Sequence, residues 1–373
     1  MPRVLFVTES RGWSGGARQL LTLAEGLRAK GWELALACPN DGQTYAKARE
    51  KGLETIHFVP RQDYDVPSAW RLARLCEARG VDVLHAHHPR AHAVALISTY
   101  LSRRPPVFLV TRRVSFSIPK NPFSRLKYAS RRIDSYVAVA ETIREILIGA
   151  GVAPERVVTI RSGVNTATFA PRPKDPAVLR ELGVPEGVPV VGLIANYSPW
   201  KGQDVLVAAA GRLKREGVRA CFLFAGRDTQ SPVLLEKAER AGLGEADAKF
   251  LGFREDVPRL LPCLDVSVNV SVAGEGISGA LRESLAMGIP AAASDIGGNR
   301  ELVQDGVTGK LFKAGDPEAL AGALGAILKD PAGARRMAEQ GRKFVCDNLS
   351  NEKMVAATEA LYRRLLVGRA PAR

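Results

Sequence analysis

"VPVVGLIANYSPWKGQDVLVAAAGRL", residues 188–213, sets a short strand-like run against a helical one across a polar loop. Lys201 and Gly202 lie on that loop, after the strand and before the helix. A strand that passes directly into a helix is the unit of parallel α/β architecture. Upstream, the chain has already run through one such series. Strands are expected at Val4–Thr8, Glu33–Ala37, Thr55–Phe58, Val83–His85, Val107–Thr111, Ser135–Val139 and Val157–Ile160. Helical patterns separate them, as in "ARQLLTLAEGLRAKG", where Leu20, Leu23, Ala24 and Leu27 recur at helix spacing before Gly31 stops the run. The stretch at 188 therefore restarts the series. "ACFLFAG", "AKFLG", "DVSVNVS" and "IPAAAS" complete a second set of five strands. Between the two sets lies the proline-rich "FAPRPKDPAVLRELGVPEGVP", which reads as a linker leading into a short helix. The fold class that follows is α/β, with two doubly wound sheets in tandem. Ligands of such sheets bind at the carboxyl ends of the strands, so facing sheets would hold a site in the cleft between domains.

A chain of 373 residues with 46% hydrophobic and 25% charged residues is long enough for two globular domains. No apolar run approaches the roughly 18 residues of a membrane span, and "MPRVLFVTES" lacks a signal peptide's apolar stretch. The five cysteines are scattered without a C-x-x-C pair, which fits reduced thiols in a cytoplasmic protein and neither a disulfide frame nor a zinc site. The net charge of +14 points to a polyanionic partner or surface. Nine basic residues and no acid fall between Arg103 and Arg132, interleaved with Phe116, Ile118, Phe123, Leu126 and Tyr128. That mixture suggests an anion or an anionic membrane surface.

The stretch "SVAGEGISGALRESLAMGIP", residues 271–290, concentrates polar chemistry at a strand end. Ser278 is a plausible N-cap for a helix over "GALRESLAM", with Glu275 on the loop before it and Glu283 inside it. Free N–H groups at that helix start favour an anion, and Gly276 and Gly279 let a phosphate approach. A carboxylate on either side can accept paired hydroxyl hydrogen bonds from a sugar or ribose diol. Alone, the E-x7-E spacing is more often that of a surface loop and a solvated helix. Gly15 and Gly16 stand at the first strand-to-helix turn, but no G-x-G-x-x-G is present and no acid closes the second strand, which disfavours a dinucleotide site.

In order along the chain, the double glycine, "DVLHAHHP", "SGVNTATF", "KGQDVLVAAAG", "FLGFREDVPRLLPCLDVSVNVS", the E-x7-E stretch, "GGNRELVQDGVTGKLF" and "GDPEALAGAL" resemble family 4 glycosyltransferases of the GT-B fold. The resemblance implies two Rossmann-like domains facing across a cleft. It places the first in residues 1–168 plus a returning helix in 352–373, and the second in 169–351. It implies a nucleotide-sugar donor as co-substrate, UDP-linked by family frequency, and a retaining transfer without metal or other cofactor. Glu275 then contacts the transferred sugar, Glu283 holds the ribose hydroxyls, and Lys201 meets the leaving diphosphate. Gly276, Ile277 and Ser278 form the phosphate turn, Phe253 and Arg254 lie where the base packs, and Gly15 and Gly16 approach the phosphates and the acceptor.

Two positions depart from the family. Asn196 stands where an arginine is usual, so Arg227 or Arg18 would supply the second diphosphate cation. Arg113 stands where many members carry a histidine, and an arginine is no base near neutral pH. Arg113 and His87 are nonetheless the candidates for that catalytic position. Arg112, Arg113, His85 and His88 are candidates for binding a glycan or glycolipid acceptor. If "PFSRLKYASRR" is helical, Phe123, Leu126 and Ile133 share a face, and its cations, Lys127 and Arg131 among them, would sit among lipid head groups. The expected protein is a cytoplasmic enzyme held peripherally on the inner face of the membrane, building lipopolysaccharide or a related glycolipid. A non-hydrolysing sugar-nucleotide 2-epimerase shares the fold but would need an acid/base set on the sugar ring. Nucleic acid is disfavoured as a partner, because no helix-turn-helix or RNA-binding signature appears.

Overall fold

The computed structural model describes residues 2–368. Within the first of two units the strands are β1 (Arg3–Thr8), β2 (Glu33–Cys38), β3 (Glu54–His57), β4 (Val83–His87), β5 (Val107–Arg112), β6 (Ser135–Ala138) and β7 (Val157–Thr159). They pair in parallel in the order β3-β2-β1-β4-β5-β6-β7. Strand β4, "VLHAH", is buried along its whole length, as expected of a central strand covered on both faces. Register places Thr8 beside His87 and His87 beside Thr111, so three polar side chains end neighbouring strands. The order reverses between β1 and β4, which is where a doubly wound sheet opens a crevice.

In the second unit the strands are β8 (Val190–Ile194), β9 (Cys221–Ala225), β10 (Ala248–Gly252), β11 (Val266–Asn269), β12 (Ala291–Ser294) and β13 (Lys310–Phe312). Their parallel order, β10-β9-β8-β11-β12-β13, repeats the first pattern, with its reversal between β8 and β11. Strand β13 is absent from the sequence reading. It has only three residues, none β-branched, and pairing with β12 defines it. The core behind this sheet joins Val191, Leu206, Phe222, Phe224, Val268, Leu320 and Leu324.

One unit runs through Gly163 and resumes at Asn351; the other is Val164–Ser350. The sequence reading drew these crossings at 168/169 and 351/352. The first crossing comes earlier because Val164 already pairs with Ser350 and its N–H bonds the Leu349 carbonyl at 2.8 Å, whereas Gly163 is held in the first unit. Its backbone N–H and carbonyl both bond the Gln19 side chain at 2.9 Å, and a Cβ there would collide with Asn351. The last helix, Asn351–Val367, buries Met354, Val355, Leu361 and Tyr362 in the same core as Leu20, Leu27 and Trp32. Contact with the first helix, Gly15–Ala29, is close enough that a Cβ at Gly26 would fall on the Val355 methyls.

The basic stretch forms a short helix, Pro122–Tyr128, started by Asn121, whose side chain accepts from the Ser124 N–H at 2.8 Å. Phe123 and Leu126 are 85% and 74% exposed, but Ile133 is fully buried, so the expected three-residue apolar face does not form. Ile133 lies beyond the helix, in the connection that leads to β6. Nor are all the cations unopposed. Lys127 donates to Asp63 at 3.0 Å and to the Pro89 carbonyl at 2.7 Å, and the Arg132 guanidinium lies 5.0 Å from the Tyr100 ring centre. The partners were invisible in the sequence because they come from other segments.

Candidate active site

Three residues meet on one oxygen at the carboxyl end of β11. Gly202 has φ of 71°, and a Cβ on it would overlap the Val270 carbonyl. With the Val272 N–H bonded to the Trp200 carbonyl at 2.8 Å, the loop after β8 is laid against the loop after β11. Lys201 thereby reaches Glu275, Nζ to Oε2 at 2.7 Å. Ser271 Oγ and Asn269 Nδ2 donate to the same Oε2 at 2.8 and 3.2 Å. Burial alone pushes the Glu275 carboxyl up, but the Lys201 charge, then Ser271 and Asn269, more than offset this and hold it below its ordinary value. All three of these hydrogen bonds fall on Oε2.

Beyond Glu275 the turn through Gly276 and Ile277 enters the helix Gly279–Ala286, whose N-cap Ser278 accepts from the Leu281 N–H at 3.3 Å. This turn rests on the loop after β12 so tightly that Gly298 has no room for a Cβ against the Gly276 carbonyl. Glu283 is buried in that helix at 4% exposure. Neither glutamate is a solvated surface residue. Sequence reasoning missed the groups that orient the site: Asn269, Ser271, Ser294 and Asn299. The one visible signal was the asparagine ending "DVSVN", a polar side chain in a strand that is buried throughout.

Asn196, in the loop after β8, supplies no cation. Its Oδ1 accepts from the Arg227 N–H at 2.9 Å and its carbonyl from Gln203 Nε2 at 3.0 Å, so it joins neighbouring strand ends. The Arg227 guanidinium lies 5.2 Å from the ring centre of Phe253, which is 42% exposed. Arg254, expected beside a base, ties its loop to the helix Pro176–Glu181, donating to Asp256 at 2.7 Å and Glu181 at 3.1 Å. Those two carboxylates hold its guanidinium ionised.

In the first unit, Gly15 and Gly16 open the helix that Ser14 caps, its Oγ accepting from the Ala17 N–H at 3.2 Å. A Cβ on Gly16 would stand 3.4 Å from Arg113 Cδ and 4.0 Å from His88 Nε2, so these three converge. His88 has φ of 86°, unusual for a residue with a side chain, and its Nδ1 lies 2.7 Å from Thr8 Oγ1. The neighbouring helix, Pro89–Leu101, has its first N–H groups taken by Glu9, at 3.0 Å from Arg90 N and 2.8 Å from Ala91 N. Arg113 also donates to Ser162 Oγ at 3.2 Å.

Three expectations in this unit change. His85 is fully buried and both its ring nitrogens are occupied, by the Tyr362 hydroxyl at 2.6 Å and Thr111 Oγ1 at 2.7 Å, so it has none for an acceptor. Arg112 spends its guanidinium on the Tyr128 hydroxyl and the Phe116 carbonyl, which ties down the segment between them. His87 is 1% exposed, with its ring 4.3 Å from that of His85 and neither nitrogen hydrogen-bonded. Burial, then His85, Arg113 and His88, push it well below the ordinary histidine value, so it is neutral and lies in the wall beneath the surface. Among the described residues no group of three or more histidine, cysteine or acidic side chains gathers as a metal site. None of their helices is long and apolar enough to cross a membrane.

A doubly wound sheet binds its ligand at the carboxyl ends of its strands, where this lysine–glutamate pair and glycine turn lie. Residues 13–168 match the family described as Glycosyltransferase Family 4, and residues 188–330 match Glycosyl transferases group 1. The chain belongs to the family 4 glycosyltransferases, with the GT-B fold. It is 28% identical to the lipopolysaccharide core biosynthesis mannosyltransferase LpcC of Rhizobium leguminosarum bv. viciae, over 84% of this chain and 89% of that one. It is also 28% identical to a phosphatidyl-myo-inositol mannosyltransferase of Mycolicibacterium smegmatis, over 85% of this chain and 82% of that one. Among solved structures, Anabaena HepE in complex with UDP superposes with a TM-score of 0.84 at 23% identity, covering 97% of this chain and 100% of that one.

Proposed function

We propose that this glycosyltransferase moves a sugar from a UDP-sugar to an acidic or lipid-linked glycan, of the lipopolysaccharide-core kind, with retention of configuration and without a metal. The observation that carries the reading is the state of Glu275: a buried carboxylate on which three donors, Lys201 among them, all act at one of the two oxygens. A donor diphosphate draws Lys201 toward itself, and Arg227 supplies the second cation that Asn196 cannot. The N–H groups of the Gly276–Ser278 turn receive phosphate oxygens, Glu283 takes the ribose hydroxyls, and Phe253 packs on the base. Glu275 Oε1 accepts from hydroxyls of the sugar. The bond from the anomeric carbon to the diphosphate oxygen breaks, and the acceptor oxygen bonds that carbon on the same face. The acceptor proton passes to the departing diphosphate, so no protein base is needed.

The acceptor side of the reading rests on Arg113, His88 and the start of the helix Gly15–Ala29, which together favour a phosphate or carboxylate. LpcC, named for lipopolysaccharide core biosynthesis, supports that class. Peripheral attachment to the inner face of the cytoplasmic membrane is part of the proposal. Phe123 and Leu126 would enter the interface, with exposed Lys120, Arg125 and Arg131 among anionic head groups at about 1 kcal/mol each.

The test is a panel of UDP-, GDP- and ADP-sugars with glycolipid acceptors, reading the anomeric configuration of the product by NMR with and without EDTA. Transfer from a UDP-sugar with retention, unaffected by EDTA, is expected. Inversion, loss of activity in EDTA, or epimerisation of the sugar nucleotide without transfer would overturn it.

A further inference from the structure

We propose that Asn269 and Asn299 are positioning residues that keep Glu275 ionised and aimed once a donor has drawn Lys201 away. The inference rests on the reading of Glu275 as the carboxylate that meets the transferred sugar. Backbone groups settle the orientation of both amides. The Ser271 N–H can only donate, and it lies 3.2 Å from Asn269 Oδ1, which turns Asn269 Nδ2 toward Glu275 Oε2. The Ser294 carbonyl can only accept, and it lies 3.0 Å from Asn299 Nδ2. That same nitrogen donates to Asn269 Oδ1 at 3.1 Å. A directed chain therefore runs from Ser294 through Asn299 and Asn269 to Glu275. Asn299 is fully buried and Asn269 is 6% exposed, so water does not substitute for either.

At rest, Lys201 neutralises the buried carboxylate. A diphosphate is the stronger anion and competes for that ammonium. When Lys201 turns to it, Glu275 is left desolvated with only the Asn269 amide and the Ser271 hydroxyl to hold its charge. Both act on Oε2, so Oε1 keeps its lone pairs for sugar hydroxyls. With a hydrocarbon at position 269, a single donor would remain and Oε2 would lose its fixed direction.

Asn269→Leu removes the amide at similar size; Asn299→Ala leaves the amide but takes away one of the two donors to its Oδ1, so that the Ser271 N–H alone holds it. The profile of kcat against pH reports the donor-bound enzyme, and that of kcat/KM the free one. With UDP-glucose as the probe, each variant is expected to lose about ten- to a hundredfold in kcat. The acid limb of kcat should move to higher pH, further than that of kcat/KM, because Lys201 still guards the free enzyme. A merely structural defect lowers activity at every pH and moves neither limb.

A second arm needs no substrate. In a Lys201→Ala background, 13C NMR of glutamate carboxyls follows the Glu275 titration, and adding either variant should raise its midpoint. An unmoved midpoint, or unmoved acid limbs, would overturn the proposal. A raised midpoint in a protein that turns over no nucleotide-sugar would instead uphold the network and remove the donor reading. Should Asn269→Leu fail to fold, Asn299→Ala carries both measurements.

Discussion

His85 Nδ1 and the Tyr362 hydroxyl lie 2.6 Å apart, joining the centre of the first sheet to the last helix across 277 positions of sequence. The ring of Trp32 packs edge-on against the same tyrosine, 5.5 Å between centres. Tyr362→Phe keeps that packing but strands a ring nitrogen in the core. The expected cost is about 1–3 kcal/mol, seen as a lower unfolding midpoint in denaturant with an unchanged slope. A midpoint equal to wild type would show that the bond contributes nothing net.

The buried histidines make stability fall with acid. His85 is lowered to about 3 by burial and then Arg113, and burial pushes His87 and His92 well below the ordinary value of 6.5. The unfolded chain therefore binds protons that the folded one refuses. Their contribution is complete above about pH 6.5 and is lost as pH falls below it, for His85 down to about pH 3. Denaturant titrations between pH 7 and 5 should show net proton uptake on unfolding, reduced in His92→Phe.

Gly26→Ala should destabilise the protein through overpacking, since its new methyl meets Val355 in a core already filled. A loss of about 1–3 kcal/mol is expected. Pairing it with Val355→Ala should recover part of that loss, and a strictly additive double mutant would contradict the packing argument.

Lys201→Ala and Glu283→Ala should fail at different steps. Without the cation, departure of the diphosphate slows, so kcat falls by about a hundredfold or more. Loss of the diol acceptor should mainly raise the donor KM. Equal kinetics in the wild type and both variants would remove these residues from the site.

For membrane attachment, the informative cations are those the fold leaves outward. Changing Lys120, Arg125 and Arg131 to Gln should abolish sedimentation with anionic liposomes, while Lys127→Gln should change it little, because Asp63 and Pro89 already hold that ammonium. Phe123→Ser with Leu126→Ser should weaken binding to anionic liposomes without altering its salt dependence.

Periodicity and composition alone determined two tandem parallel α/β series, because strand and helix periods are local properties of the chain. They located Lys201 and Glu275 on loops that follow strands, and Glu283 in the helix after the second loop, for the same reason. Tertiary structure decided what those residues meet. Glu275 is buried, not solvated, because Gly202 and Gly298 let two loops close on its turn. Asn269 and Asn299 gain meaning only where β11 and β12 run side by side. His85 and Lys127 changed their reading because their partners, Tyr362 and Asp63, are distant in sequence. A side chain's type is written locally, but its charge, exposure and partners are set by whatever the fold packs against it.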